Sequence, residues 1–582
     1  MKVIISTLNS KYIHSSLAPW CLFTACRSYC KENHSIKVIE GTVNEKAEAV
    51  LGRILTEKPD AVAFSVYIWN KERTLDLCRE IKSALPDTAI ILGGPEVAYN
   101  QREVLENYSF VDFILSGEGE IILPRLLDFI SSGLSAEDID GVSLRKGDSL
   151  IIKSEAIGKR FDYPSPYCEE YFDALGGRLA YIETSRGCPF GCAYCLSGRC
   201  GKVKFKSLEQ TKRELLLLAN SGTKTVKFVD RTFNCNNARA VEILRFINDS
   251  YGKAIPRGVC FHFEISADIL KEDFIGEVAR AEKGAFQFEA GIQSMNKATL
   301  EAIGRKSDLN KLCENIKKLV SLRNCHIHTD LIAGLPFETF ESFIDGFNKS
   351  YALGADMLQL GFLKLLHGSP LRDNADAFPC KFFPEPPYEI ISTPTMTQAD
   401  LDTLRTAEKE VDRLHNSGRF RRTLDYIFRV TDFTPFELYL FLGKALTDKS
   451  LPLDRYTDTL FGILSRLGGV DPAVLRDRMI YDRLATNNSG VIPKSLYIED
   501  ARLKKAKHRL ALAYPIKKGV SRSVAILYSE GRVIFCDYGR EKPGFGEYEV
   551  RAENFDFFGE TFFDFDIDKR DKMRYNQQAV KK

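Results

Sequence analysis

Twice along this chain, short apolar runs that read as strands alternate with segments whose apolar residues recur at helical spacing. The first run covers residues 1–140 and the second covers 177–375. Alternation of this kind predicts parallel sheets covered by helices, not a bundle or a sandwich. In the first run the strand candidates are 3–6, 36–40, 61–66, 89–93 and 112–115, and the stretch from Thr74 to Ile81 shows the helical period between them. They predict a doubly wound α/β domain with a Rossmann-like parallel sheet, whose ligands bind at the carboxyl ends of the strands. Gly93-Gly94-Pro95-Glu96 follows the fourth strand candidate, and Ser116-Gly117-Glu118-Gly119-Glu120 follows the fifth. Glycine at such ends permits close approach of the backbone to a ligand. No GxGxxG follows the first strand candidate, so a dinucleotide is not expected. In the second run the candidates are 180–184, 225–229, 260–265, 285–290, 326–332 and 357–363. Six strands with intervening helices predict a partial (β/α)6 barrel, with its working residues at the strand C-termini.

The breaks between these runs set the domain organisation. Residues 141–176 read as a linker: strand-like pieces at 141–144 and 150–152 lead to Asp162-Tyr163-Pro164-Ser165-Pro166, where two prolines end regular structure. Pro379, Pro384, Pro386, Pro387 and Pro394 mark the start of a C-terminal domain over 376–582. That domain is expected to be mainly helical, with Thr397 capping a helix to residue 415, another helix over 435–446, and a hairpin from 523–527 and 532–536. The basic run from Arg502 to Arg509 reads as a solvated helix face. A net charge of +2 gives no electrostatic ground for binding nucleic acid or an anionic membrane. The 15 cysteines are scattered, with no disulfide framework, and the first residues read as a strand and not as a signal peptide; both point to a cytoplasmic location.

Cys188, Cys192 and Cys195 close a short loop directly after the first barrel strand candidate. Soft thiolates select zinc, copper(I) or iron–sulfur clusters. A structural zinc site wants a fourth protein ligand, and an iron–sulfur cluster commonly takes four cysteines. A four-iron cube on three thiolates would leave one iron open for chemistry, while a zinc loop remains the alternative on spacing alone. The residues resemble the CxxxCxxC signature of the radical S-adenosylmethionine (SAM) superfamily, including the aromatic Tyr194 before the last cysteine. The resemblance implies a 4Fe-4S cluster on Cys188, Cys192 and Cys195, with SAM as co-substrate. Further pieces follow in barrel order. Asp230 stands in Asp230-Arg231-Thr232, where the superfamily commonly carries a GGE-like segment that meets the SAM amino group. Glu264 ends the third strand candidate, a carboxylate that is costly in an apolar strand unless paired. Gly291-Ile292-Gln293-Ser294 with Arg305 is similar to the GxQS…R pattern that holds the methionine carboxylate. Arginine suits that task because its planar fork grips a carboxylate through two parallel bonds. Asp330 in Asp330-Leu331-Ile332-Ala333-Gly334-Leu335-Pro336 resembles a strand whose aspartate accepts from the ribose hydroxyls.

The N-terminal sheet resembles the cobalamin-binding domain found ahead of many radical SAM domains, which makes Gly93, Gly94, Gly117, Glu118 and Gly119 the expected corrinoid contacts. The DxHxxG motif that supplies a cobalt ligand elsewhere is absent, and His14 and His34 do not fit it, so no protein histidine is expected below cobalt. The C-terminal portion resembles an uncharacterised domain that accompanies some of these proteins. Together the resemblances imply a cobalamin-dependent radical SAM enzyme that cleaves SAM reductively and functionalises an unactivated carbon, most simply by methyl transfer. The competing readings are a radical SAM enzyme without cobalamin that acts on RNA or another substrate, and a non-enzymatic metal or cobalamin sensor. The expected partners are a small-molecule or metabolite substrate and an electron donor such as flavodoxin or ferredoxin, with neither membrane nor nucleic acid. Cys21, Cys26 and Cys30 read as packing residues of one helix, and Cys200 and Cys235 as ordinary thiols. His326 and His328, two apart on a strand, share one face.

Overall fold

The computed structural model describes residues 1–159, 161–200, 202–374, 376–446, 450–539 and 546–558. The chain divides into two units, the first made of Met1–Cys325, Ile332–Thr339 and Phe362–Thr397, the second of His326–Leu331, Phe340–Gly361 and Gln398–Lys582.

The first unit opens with strands and helices in alternation: β1 (Lys2–Asn9), α1 (Ala18–Tyr29), β2 (Ser35–Thr42), α2 (Ala47–Glu57), β3 (Ala61–Ser65), α3 (Lys71–Ala84) and β4 (Ala89–Gly93). Two short helices, α4 (Pro95–Ala98) and α5 (Gln101–Asn107), precede β5 (Phe113–Leu115) and α6 (Gly119–Ser132). The strands pair in parallel in the order β2-β1-β3-β4-β5. Seven consecutive residues of β1 are buried, as is expected where helices cover both faces of a parallel sheet. On one face Ile4, Val62, Phe64, Ile90 and Leu92 pack with Val50 and Ile54 of α2 and Leu75 and Ile81 of α3.

The stretch read as linker does not begin where expected. β6 (Val142–Lys146) and β7 (Ser149–Ile151) form a hairpin that adds two antiparallel strands beyond β5. The sheet is therefore seven-stranded and mixed. The pieces were too short to reveal their pairing, and a two-residue turn can place a hairpin on any open sheet edge. α7 (Glu169–Leu175) then leads into the barrel.

Within the first unit the barrel strands are β8 (Ala180–Ile182), β11 (Thr225–Phe228), β12 (Cys260–Ile265) and β13 (Phe286–Gln293), all parallel and adjacent in that order. Between β8 and β11 lies a small antiparallel ladder of β9 (Ser185–Arg186) and β10 (Lys204–Phe205). The helices between and after these strands are α8 (Leu208–Ala219), α9 (Asn237–Ser250), α10 (Glu272–Arg280), α11 (Lys297–Ala302) and α12 (Leu309–Leu322). Side chains alternate along each strand. One set, Phe228, Phe261, Phe263, Phe286 and Phe288, is fully buried, with Phe228 and Phe263 ring centroids 4.4 Å apart. The other set, Lys227, His262, Glu264, Glu289 and Gln293, is polar. Two further strands, β14 (His326–Ala333) and β15 (Met357–Phe362), bring the barrel strands to the expected six and are divided between the units.

In the second unit helices dominate beyond residue 397: Gln398–Glu410, Arg421–Val430, Pro435–Ala445, Leu453–Leu464, Pro472–Thr486 and Ala501–Ala513. The expected hairpin is present as Ser521–Leu527 and Arg532–Tyr538, and a third strand, Val550–Asn554, joins it. Among the described residues, no helix is long and apolar enough to cross a membrane.

Candidate functional site

The cysteine loop leaves the barrel just after β9, through Gly187 at φ 98°. Cys192 is buried, and Cys188 and Cys195 are half-buried. The loop is tied down by its backbone. Cys195 N donates to Cys192 O at 3.0 Å, Ala193 N donates to Ile303 O at 2.8 Å, and Leu371 N donates to Ala193 O at 2.8 Å. Ser197 N approaches Cys195 Sγ at 3.4 Å, and the Thr232 hydroxyl lies 3.4 Å from Cys188 Sγ. Among the described residues these three sulfurs are not gathered within 4.8 Å of one another, the spacing one ion would need.

Arg305 stands beside this loop. Its Nη2 donates to Gly291 O at 2.6 Å, and its Nη1 lies 3.9 Å from Cys192 Sγ. Gln293, at the end of β13, adopts φ 69°, a left-handed conformation that is uncommon for a residue with a side chain. Its amide folds back over Gly291, where a Cβ would meet Gln293 Nε2 at 2.1 Å. Gln293 Oε1 and Arg305 Nε are both buried without a hydrogen-bond partner in the chain. Buried polar groups are nearly always paired, so an acceptor and a donor left over at one strand end mark a ligand position. Burial raises the Cys192 thiol, and Arg305 pulls it back. Burial pushes the Tyr194 hydroxyl well above its ordinary range, with Cys192 adding to the effect.

Asp230 is placed differently from a ligand contact. It is buried, and its oxygens accept from Thr184 N at 2.7 Å, Thr184 Oγ1 at 2.6 Å and Ser185 Oγ at 2.7 Å. Burial raises its carboxyl while these bonds oppose the shift. Asp230 thus clamps the end of β11 to the segment that becomes the cysteine loop, and Arg231 beside it is exposed.

Glu264 lies directly across from Glu289 in the β12–β13 register. Lys227 Nζ sits 3.4 Å from Glu289 and 3.9 Å from Glu264, His262 Nε2 is 3.0 Å from Glu289, and Arg231 Nη1 is 4.0 Å from Glu264. Burial raises the Glu264 carboxyl, Arg231 opposes the rise and Glu289 reinforces it. Sequence reasoning found Glu264 but missed Lys227, His262 and Glu289. The signal was there, in charged residues at alternate positions of runs otherwise rich in phenylalanine. Asp330 is on the half-buried face of β14 with His326 and His328, in residues that belong to the second unit.

A cavity of about 650 Å³ lies where the carboxyl ends of β3, β4 and β5 meet Tyr181, Ser185, Arg186 and Arg231. Gly93, Gly94, Gly117, Glu118 and Gly119 all line it, with Cys21 and Trp69. The ring of Trp69 stacks on Tyr67 at 4.5 Å. The glycines differ in what they serve. Gly94 at φ 106° and Gly117 at φ 107° would drive a Cβ to 2.5 Å from Val66 O and 2.2 Å from Ala156 O. Those two are demanded by the chain's own backbone. Gly93 has only an ordinary 3.6 Å neighbour, so its lack of a side chain keeps the cavity floor low. Glu118 is buried and committed to Gly158 N and Tyr163 OH, both at 2.6 Å, and to Lys204 and Arg186. Burial raises its carboxyl, but Lys204 and Tyr163 more than offset that, and it stays below the usual range. His14, also on the cavity wall, is held by Tyr181 OH at 2.6 Å, and burial lowers its imidazole pKa.

Arg186 carried no sequence signal. Its guanidinium bonds Glu120 at 2.7 Å and Glu183 at 2.8 Å, lies 3.3 Å from Glu118, and packs 4.8 Å over the Phe161 ring. It joins the segment leading to Cys188 to the glycine loop after β5. Cys235 is half-buried with a thiol raised by burial, and the side chain of Cys200 lies outside the described residues.

Comparison with known proteins matches residues 6–127 to the B12 binding domain, 182–348 to the Radical SAM superfamily, and 376–520 to a domain of unknown function, DUF4080. The chain is 28% identical over 350 residues to the cobalamin-dependent radical SAM methyltransferase TokK of Streptomyces tokunonensis, covering 56% of this chain and 49% of that one. It is also 28% identical over 308 residues to the 2-(S-pantetheinyl)-carbapenam-3-carboxylate methyltransferase of Streptantibioticus cattleyicolor, covering 50% and 44%. The chain thus spans about half the length of these relatives. Among solved structures, the cobalamin-dependent SAM radical enzyme OxsB aligns with a TM-score of 0.58 at 15% identity, over 82% of this chain and 78% of that one. The radical SAM methyltransferase TsrM of Kitasatospora setae aligns with a TM-score of 0.53 at 19% identity, over 64% and 74%. These two likenesses bear on the fold.

Proposed function

The chain is a radical SAM superfamily protein with a B12-binding domain ahead of the barrel and a DUF4080 domain behind it, and we propose that it is a cobalamin-dependent radical SAM enzyme that methylates an unactivated carbon. The observation that carries the reading is the pairing of Gln293 Oε1 and Arg305 Nε, buried and unpartnered beside Cys192. A carboxylate takes a donated bond from Arg305, and an ammonium or hydroxyl gives one to Gln293. An α-amino acid head, which SAM has, supplies both.

The donor set fits the cofactors. Cys188, Cys192 and Cys195 would hold a 4Fe-4S cluster, and the cavity floored by Gly93, Gly94, Gly117 and Gly119 would seat the corrinoid, with Glu118 bracing the loop between them. With both bound, the cluster supplies one electron to break a carbon–sulfur bond of SAM, and cobalamin supplies a transferable methyl group. The protein's share is orientation and shielding. Gln293 and Arg305 would fix the amino-acid head, and Tyr194, buried in the loop near Cys192 and Arg305, would help to shield it. Asp230 holds β11 and the cysteine loop in register and acts as a positioning residue. Glu264, near the end of β12, would accept from hydroxyl or amino groups, and Asp330, within β14, is a carboxylate of the same kind. The polar inner face of Lys227, His262, Glu264 and Glu289 suits a small-molecule substrate that carries polar groups. The electron would come from a small reductant protein such as flavodoxin or ferredoxin, in the cytoplasm.

The test is anaerobic reconstitution with iron, sulfide and cobalamin, followed by SAM and a reductant. The expected products are 5′-deoxyadenosine and S-adenosylhomocysteine, and Cys192→Ala should abolish the first. Deoxyadenosine formation at the wild-type rate by that variant would refute the assignment, and cleavage without any bound corrinoid would favour the cobalamin-free alternative.

A further inference from the structure

The geometry points to a second metal site, distant in sequence from the cysteine loop, in which Cys30, His34 and Asp128 bind a zinc-class divalent ion and a solvent molecule takes the fourth position. The sequence reading grouped Cys21, Cys26 and Cys30 as packing residues of one helix, and the structure separates them. Cys21 lines the cavity. Cys26 is buried one turn before Cys30. Cys30 Sγ reaches α6, 3.7 Å from Pro124 O.

Past Cys30 the chain turns back onto the same helix. Lys31 N and Glu32 N donate to the Asp128 carboxylate at 2.8 and 3.0 Å, so its oxygens are oriented by the backbone. His34 Nε2 lies 3.2 Å from Asp128 Oδ1. One donor atom each from Cys30, His34 and Asp128 falls within 4.8 Å of the other two. The His34 side chain is 1% exposed and that of Asp128 is 15% exposed. His34 Nδ1 is buried and has no hydrogen-bond partner.

Two ligands that each lie about 2 Å from a tetrahedral ion stand about 3.3 Å apart. His34 Nε2 and Asp128 Oδ1, 3.2 Å apart, have that separation, so both would ligate through these atoms. A mixed thiolate, imidazole and carboxylate set is zinc chemistry. On binding, the Cys30 thiol loses its proton to solvent, and the charge of the dication is offset by one thiolate and one carboxylate. The ion would tie the C-terminal end of α1 to α6. The other ends of those helices, at Cys21 and Gly119, line the cavity, so the site would be structural and would steady the cavity wall.

The experiment uses the full-length chain with Cys188→Ala, Cys192→Ala and Cys195→Ala, which removes the competing loop thiols. Anaerobic titration with cobalt(II) is followed by absorption. One equivalent should produce thiolate-to-cobalt and tetrahedral ligand-field bands, and one equivalent of zinc should displace them. His34→Ala and Cys30→Ser should each weaken binding at least tenfold, while Cys21→Ser should leave it unchanged. A variant-free measure accompanies these: zinc should protect Cys30 from alkylation, read by mass spectrometry of the same chain. Absence of the thiolate band, a band unchanged in both variants (an adventitious ion only), or alkylation of Cys30 indifferent to zinc would overturn the proposal.

Discussion

A glycine in a ligand loop can serve the ligand or its own backbone, and at Gly93 and Gly94 the two roles fall on neighbours. A Cβ on Gly94 would sit 2.5 Å from Val66 O at a φ of 106°, so Gly94→Ala should destabilise the fold by about 2 kcal/mol or more. Thermal unfolding measures this directly. Gly93→Ala meets only ordinary contacts. It should fold with little change in melting temperature and lose affinity for cobalamin, read by corrinoid absorbance after gel filtration. The same logic applies at the strand end holding Arg305. Arg305→Lys keeps the charge but loses the planar fork that bonds Gly291 O while leaving Nε for a ligand. SAM binding should weaken about tenfold or more, a loss of about 1.4 kcal/mol, in line with one charge-assisted bond. Anaerobic equilibrium dialysis checks it, and unchanged binding would contradict the role assigned to Arg305. At this scale local spacing singled out residues that the fold brings together, Cys192 of the cysteine loop with Arg305, and Gln293 beside them. The sequence was silent on Arg186, whose partners Glu118 and Glu120 come from the loop after β5 and the first turn of α6, and it gave Asp230 a ligand role instead of the clamp on Thr184 and Ser185, which exists only once β8 and β11 pair.

Elements carry the coupling between these residues. β9 leads into the cysteine loop and α6 begins in the glycine loop, and Arg186 binds the two through Glu118, Glu120 and Glu183. Removing the cation leaves buried carboxylates short of a counter-charge, so Arg186→Gln should cost about 3–5 kcal/mol. Arg186→Lys should fold but hold the two loops less rigidly. Its signature would be SAM cleavage near wild type with methylated product reduced relative to 5′-deoxyadenosine; equal loss of both would mean the residue supports folding alone. In the second unit, Asp500 caps the helix Ala501–Ala513 and bonds Arg502 and Tyr528. Burial works against its charge, but these bonds prevail and lower its pKa to about 2. A carboxylate whose folded pKa is depressed contributes stability that is present above its unfolded value near 4 and is lost as pH falls toward 2. Asp500→Ala should therefore lower the melting temperature at pH 7, by an amount matching about 1 kcal/mol for a lost cap. The difference from wild type should close between about pH 4 and pH 2, and a gap that persists at pH 2 would assign the effect to something other than this charge. The hairpin β6–β7 shows where element-level reading fails. Its strands were visible as short apolar pieces, but nothing local says that a strand pair will join an existing sheet edge, because the partner β5 is fixed by tertiary packing.

For the whole molecule the question is whether the two proposed cofactor sites of the first unit are one cooperative structure or two. The core under β1, β3 and β4 closes entirely with side chains of residues 4–152, including α2 and α3. The phenylalanine layer of the barrel likewise closes on itself through Phe228, Phe263, Phe286 and Phe288. Each sheet therefore has the apolar contacts it needs without the other's ligand, and what joins the sites is polar, at Arg186 and along the cavity wall. Loss of one cofactor should then leave the other's binding intact. A chain with Cys188→Ala, Cys192→Ala and Cys195→Ala should take up no iron–sulfur cluster and still retain cobalamin at close to one per chain, measured by metal analysis beside corrinoid absorbance. The converse holds for Gly93→Ala, which should keep its cluster and its SAM cleavage while losing methyl transfer. If the triple variant instead sheds cobalamin as well, the two sheets depend on the loaded cluster for their shared cavity. The closure of each apolar core, although present, would then not suffice to hold the corrinoid floor in place.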